Sequence, residues 1–256
     1  MDRDDAGALA PRAELPAALF LLGVASAAFD VGCVLIKTPF LRPGITAGDA
    51  IEAAGVFVVL ALFARAGRLA RPGSVASALA GVAAVSYAFG HGIHVAANSI
   101  HDFAELRHAG DPIGLLDFWD ERVGHYLVEI GRVLFAVSLL GAPAPRGAAK
   151  GAALAALGGA AYGFIAFASA VEGQTVPVAL PFYALVAAVL LWRARKGGRG
   201  EPRIRAFFLA AAATALVLFA VWGVWRHGFP EFTKTGILRG ANPHSPAGGS
   251  APGGGE

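Results

Sequence analysis

Two stripes of polar side chains carry the chemistry this chain could perform. The first lies in the run His91-Gly92-Ile93-His94-Val95-Ala96-Ala97-Asn98-Ser99-Ile100-His101-Asp102. On a helix advancing about 100° per residue, His91, His94, Asn98 and His101 share an arc of roughly 80°, with Tyr87 and Asp102 beside it. The second stripe is Asp117, Glu121, His125 and Arg132, with Glu129 at its edge. Imidazole and carboxylate groups brought together in this way suit zinc, or iron with open positions. A metal with one free position activates water against an ester or amide.

A depth argument narrows the set. Helices carrying the two stripes are consecutive in the chain and therefore antiparallel if both cross a membrane. Setting His101 level with Asp117 brings Asn98 level with Glu121, His94 with His125 and His91 with Glu129. With a rise of about 1.5 Å per residue, His91 and His101 are roughly 15 Å apart along the axis, too far to share an ion. His94 lies within about one turn of both His91 and Asn98. The expected ligand set is therefore His91, His94, Glu121 and His125. Asn98, Asp30 and Glu172 stand as supports or alternative ligands, and Glu129 or Glu172 as the proton-transfer group. Carboxylates behind the ligands would also fix the histidine tautomers.

Further ionisable residues gather toward the same ends of their segments: Asp30 late in the first apolar run, Glu52 early in the second, Glu172 at the end of the fifth and His227 after the seventh. His101, Asp102, His108 and His227 read as capping, pairing or interfacial groups, and Tyr87 as a packed tyrosine. Trp119 and Trp225 read as belt residues at the membrane surface.

The elements that must position these groups are apolar. Of 256 residues, 56% are hydrophobic and only 15% charged, where a soluble domain carries about 25% charge. A membrane span needs roughly 20 apolar residues, and seven such segments are expected at 15–36, 50–70, 74–100, 113–141, 150–171, 176–195 and 203–226. The expected architecture is all-α: a polytopic membrane bundle over 1–239, followed by a Gly/Pro/Ser-rich disordered tail at 240–256. The run from Leu15 is longer than the apolar core of a signal peptide and follows acidic residues, so it reads as a retained helix. The Gly and Ala repeats between Gly151 and Gly163 suit close helix contact. The fourth segment is the exceptional one, since 113–132 includes Asp117, Asp120, Glu121, Arg122, Glu129 and Arg132. Each charge at the bilayer centre costs about 2.5–3.5 kcal/mol even on the gentler scales, so neighbours must shield it.

The formal charge of +3 sits in short loops rather than in a nucleic-acid-binding patch, and the single cysteine, Cys33, excludes a disulfide framework. The N-terminus and the loops on its side hold 13 Lys/Arg against 7 on the other side, with Arg132 inside a helix. The positive-inside rule then puts the N-terminus in the cytoplasm, and the C-terminus and both stripes toward the outside. Arginine outnumbers lysine 17 to 4, a bias that suggests a GC-rich bacterial gene and hence an inner-membrane location.

Three functions compete. The first is a metal-dependent hydrolase acting on a lipid or other membrane substrate. The second is a haem-binding electron-transfer protein with His94 and His125 as axial ligands. The third is an ion or proton transporter using the same stripe. Seven-helix zinc enzymes of the alkaline ceramidase and adiponectin-receptor type place a His-x-x-x-His pair on the last helix, and here the last helix ends at His227 with no such pair.

Overall fold

The computed structural model describes residues 14–36, 38–40, 42–106, 113–143, 150–197 and 200–237. Helix α1 (Leu15–Leu35) enters with Pro16 in its first turn, where the missing N–H costs nothing. It is followed by a short antiparallel hairpin, β1 (Pro39–Phe40) and β2 (Arg42–Thr46), in which Pro39 pairs with Thr46. Apart from this hairpin the described elements are helices, as the all-α expectation has it. Pro39, Pro43 and Gly44 cannot continue a helix, so the backbone groups of the connection satisfy one another across a ladder instead.

Helix α2 (Ala47–Ala70) begins three residues earlier than expected because Thr46 and Asp49 close a capping box. Asp49 N–H donates to Thr46 Oγ1 at 3.2 Å and Thr46 N–H to Asp49 Oδ2 at 2.7 Å. Arg71 ends α2 in the left-handed region, at φ 52°. Helix α3 (Ser74–Leu106) runs past the expected end near residue 100, since no proline or glycine interrupts it there. The fourth segment is composite: α4 (Ile113–Asp117), a π-helical stretch Phe118–Gly124, and α5 (His125–Leu140). There follow α6 (Ala152–Glu172), α7 (Val176–Arg195), α8 (Pro202–Arg226) and the single turn α9 (Phe232–Thr235).

Seven helices are long and apolar enough to cross a membrane, the fourth being Gly114–Leu140 taken across its π-helical stretch. Their outward faces carry large exposed apolar side chains, among them Phe57 at 75% and Val224 at 77% exposure. That surface would be costly in water and is natural against lipid tails. This is the make-up of a multi-pass membrane protein.

Two close-packed contacts organise the interior. Helix α6 lies between α1 and α8. Gly158 meets the α1 backbone at Leu19 and Phe20, while Gly159 and Gly163 meet the α8 backbone at Phe207 and Ala211. The second contact joins α3 to α5, where Gly90 faces Gly124 and Val128, and Gly131 faces Ala83 and Tyr87. Small residues let backbones approach where the bilayer supplies no hydrophobic drive between helices. The α3–α5 contact sets the depth at which the two polar stripes meet.

Candidate metal centre

His94 of α3, Asp120 of the π-helical stretch and His125 of α5 each bring one ligand atom to within 4.8 Å of the other two. His94 Nδ1 donates a very short hydrogen bond to Asp120 Oδ1. The rings of His94 and His125 meet edge-on, 4.6 Å between centroids. Asn98, one turn along α3, donates from Nδ2 to His94 Nε2 at 3.1 Å. Glu52 reaches in from α2 and faces two histidines at once. Its Oε1 accepts from His91 Nδ1 at 2.8 Å, and its Oε2 lies 3.7 Å from His94 Nε2.

The π-helical stretch decides which acid takes part. A wider i→i+5 turn of this kind is frequent at functional sites, and it shifts the face that each residue presents. Asp120 is turned inward, 8% exposed, onto His94. Glu121 is only partly buried, and its Oε2 is shielded from solvent without a hydrogen-bond partner among the described residues. Gly90 makes room for this geometry: a Cβ there would lie 2.7 Å from both Gly124 O and Val128 N. From the other side, Gly173 at the end of α6 packs directly on the His125 ring.

A second polar layer lies deeper along the same helices. Arg132 Nη2 donates to Asp30 Oδ2 at 3.0 Å, and its Nη1 lies 3.5 Å from Glu129 Oε2. Arg132 and Glu129 are 3% and 1% exposed. Arg132, Tyr87 and Tyr162 line one side of a small cavity whose other walls include Leu22, Val59 and Phe63. Across the two layers, Glu52 and Asp120 face histidines, and Asp30 and Glu129 face the Arg132 guanidinium.

The residues expected from sequence therefore fall in several places. His94 and His125 meet, with Asn98 on His94. His91 is one step removed, hydrogen-bonded to Glu52 and tilted against the Tyr87 ring, 4.5 Å between centroids. Glu121 stands beside the three-donor group rather than in it. Asp30 and Glu129 are engaged by Arg132. Glu172 Oε2 accepts from the backbone N–H of Phe232 at 2.8 Å and so holds the segment carrying α9. His227 is exposed in the left-handed region at the end of α8. The side chains of His101, Asp102, His108 and Asp117 lie outside the described residues. Sequence reasoning passed over Glu52 and Asp120 as ligands. Glu52 has no periodic partner on its own helix, and Asp120 reaches the inner face only through the π-helical turn. Comparison of the chain with protein-family models, with curated proteins and with solved structures gave no match.

Proposed function

We propose that this chain is a multi-pass membrane protein that holds a divalent transition metal, zinc or iron, at His94, Asp120 and His125. In this reading it uses the metal to hydrolyse an ester or amide of a membrane lipid. The observation that carries the reading is the convergence of two imidazoles and one carboxylate from consecutive spans. Two histidines and one acid are a common catalytic set for zinc and the facial set of non-haem iron, and both leave positions open. A bound metal would supply Lewis acidity and an activated water.

The chain's own residues provide the rest. A cation entering between His94 and Asp120 takes the place of the proton they share, leaving Asn98 to hold the far side of the His94 ring. Glu121, next to Asp120 and with an unpartnered oxygen, becomes the proton-transfer group. Glu172 is less suited to that role because it holds the Phe232 N–H, and Glu129 because it pairs with Arg132 outside the three-donor group. The surplus of carboxylates over guanidinium also favours a cation, since uncompensated buried charge is costly.

Haem fits the geometry less well, because imidazole rings 4.6 Å apart and edge-on leave no plane for a porphyrin. A transport path fits less well too. Beyond Arg132 the buried positions of the bundle are largely apolar, with Phe135, Leu139, Phe207 and Phe208 among them. Counting Lys and Arg by loop supports a cytoplasmic N-terminus and a site opening toward the outer leaflet.

The test is elemental analysis of the purified full-length protein with a visible spectrum. We expect zinc or iron in stoichiometric amount, no Soret band, and loss of that metal in His94→Ala and His125→Ala. Full metal content in both variants, or a Soret band in the wild type, would overturn the reading.

A further inference from the structure

The end of α8 carries a cation that the bundle does not pair. Arg226 lies over the Trp225 ring at 4.2 Å and over the Trp222 ring at 5.3 Å. Among the described residues no carboxylate comes within ion-pair distance of it. The acids of the following segment and of α6 are taken: Glu231 pairs with Lys234, and Glu172 holds the Phe232 N–H. Arg226 is not needed to cap its helix, because the backbone N–H groups of His227 and Gly228 both reach Gly223 O. The platform beneath the guanidinium is fixed. Trp222 is buried, donates its Nε1–H to Pro230 O at 3.2 Å and packs on the Phe232 ring. Stacking occupies the face of a guanidinium and leaves its in-plane N–H groups free, the fork that takes a phosphate through two parallel hydrogen bonds. Nε of Arg226 is shut in, so the end it presents is Nη1 and Nη2.

We infer that Arg226 is a docking site for the phosphodiester of a glycerophospholipid. Trp225 is exposed beside it, and tryptophans of this kind sit at the headgroup level of a bilayer, where lipid phosphates lie. Val217, Val221 and Val224 continue from Trp225 as an exposed stripe at i, i+4, i+7 and i+8 along one face of α8. Acyl chains lie along this stripe while the phosphate meets the Nη edge. A free phosphate ion would gain the fork but none of the apolar stripe, so the occupant is a lipid. Helix α8 packs on α6, and Gly173 at the end of α6 contacts the His125 ring, which places the docked lipid one helix away from the metal centre. The docking uses no metal and stands independently of the hydrolase reading.

The experiment titrates full-length protein, stripped of lipid in detergent, with dioleoyl phosphatidylglycerol, with dioleoylglycerol and with inorganic phosphate. Bound lipid is counted by native mass spectrometry, and affinity is read from quenching of tryptophan fluorescence by the chain-brominated forms of the two lipids and from thermal shifts with inorganic phosphate. The inference predicts that phosphatidylglycerol binds more tightly than either of the others. Arg226→Gln and Arg226→Lys should each weaken it by about tenfold or more, because neither keeps the planar fork and a hydrogen bond to a charged group is worth at least that factor. Full affinity in either variant would overturn the inference. Because a variant can fail to fold, the wild type decides on its own as well. Dioleoylglycerol binding as tightly as phosphatidylglycerol would show contact with the chains alone, and inorganic phosphate binding as tightly would show an anion site that does not recognise lipid; both results refute it.

Discussion

Arg132 holds two carboxylates that would otherwise face the interior of the bundle without a counter-charge. Its bond to Asp30 spans 102 residues of sequence, joining the first helix to the fourth segment. Removing one partner of a buried ion pair typically costs about 3–5 kcal/mol, because the remaining charge has no compensation. Arg132→Met should therefore lower the thermal unfolding temperature in detergent sharply. The triple variant Asp30→Asn, Glu129→Gln, Arg132→Met should recover most of the loss. Equal stability of Arg132→Met and wild type would show that these groups are not paired in the folded protein. At the same scale Asn98 is a positioning residue. Asn98→Ala should weaken metal binding by roughly 10–100-fold, the range seen for residues that orient a ligand, without abolishing it.

At the scale of elements, the contact between α3 and α5 governs the centre. Gly90→Ala would put a Cβ 2.7 Å from Gly124 O and Val128 N, neither of which can move without shifting a helix. An overpacked contact costs about 1–3 kcal/mol, and here it also separates His94 from Asp120. Gly92→Ala, two residues along, meets nothing within 4 Å, so it should be neutral or stabilising by up to about 1 kcal/mol through helix propensity. Comparing thermal stability and metal affinity of the two variants tests the packing directly; equal behaviour would sink it. The same segment shows what the sequence could convey. Apolar length gave the seven spans, and helical periodicity brought His94 and His125 to one depth. Regular periodicity also selected Glu121 over Asp120, because it assumes 3.6 residues per turn through a stretch that the structure winds as a π-helix. Glu52 was illegible for another reason: its position is set by tertiary packing of α2 against α3, which no local pattern encodes.

For the molecule as a whole, the proposed orientation makes a distinct prediction. In a Cys33→Ala background, Ser250→Cys should react with an impermeant maleimide in intact cells, and Ala148→Cys only after lysis. The reverse pattern would place the centre at the cytoplasmic face. The histidines and their carboxylates gather toward one end of the bundle; Phe135, Phe207 and Phe208 are buried beyond them, and a buried Glu201–Arg203 pair lies at the start of α8.

The distant partnership of Arg132 with Asp30 bears on biogenesis. A segment bearing this many charges partitions poorly into lipid as a solitary helix, so its insertion waits until the first helix is already lodged and can offer an acid in trade. Synthesis order supplies that acid early. Shortening or replacing the first helix would therefore strand the fourth at the translocon, even though Asp30 and Arg132 stand 102 residues apart in the chain.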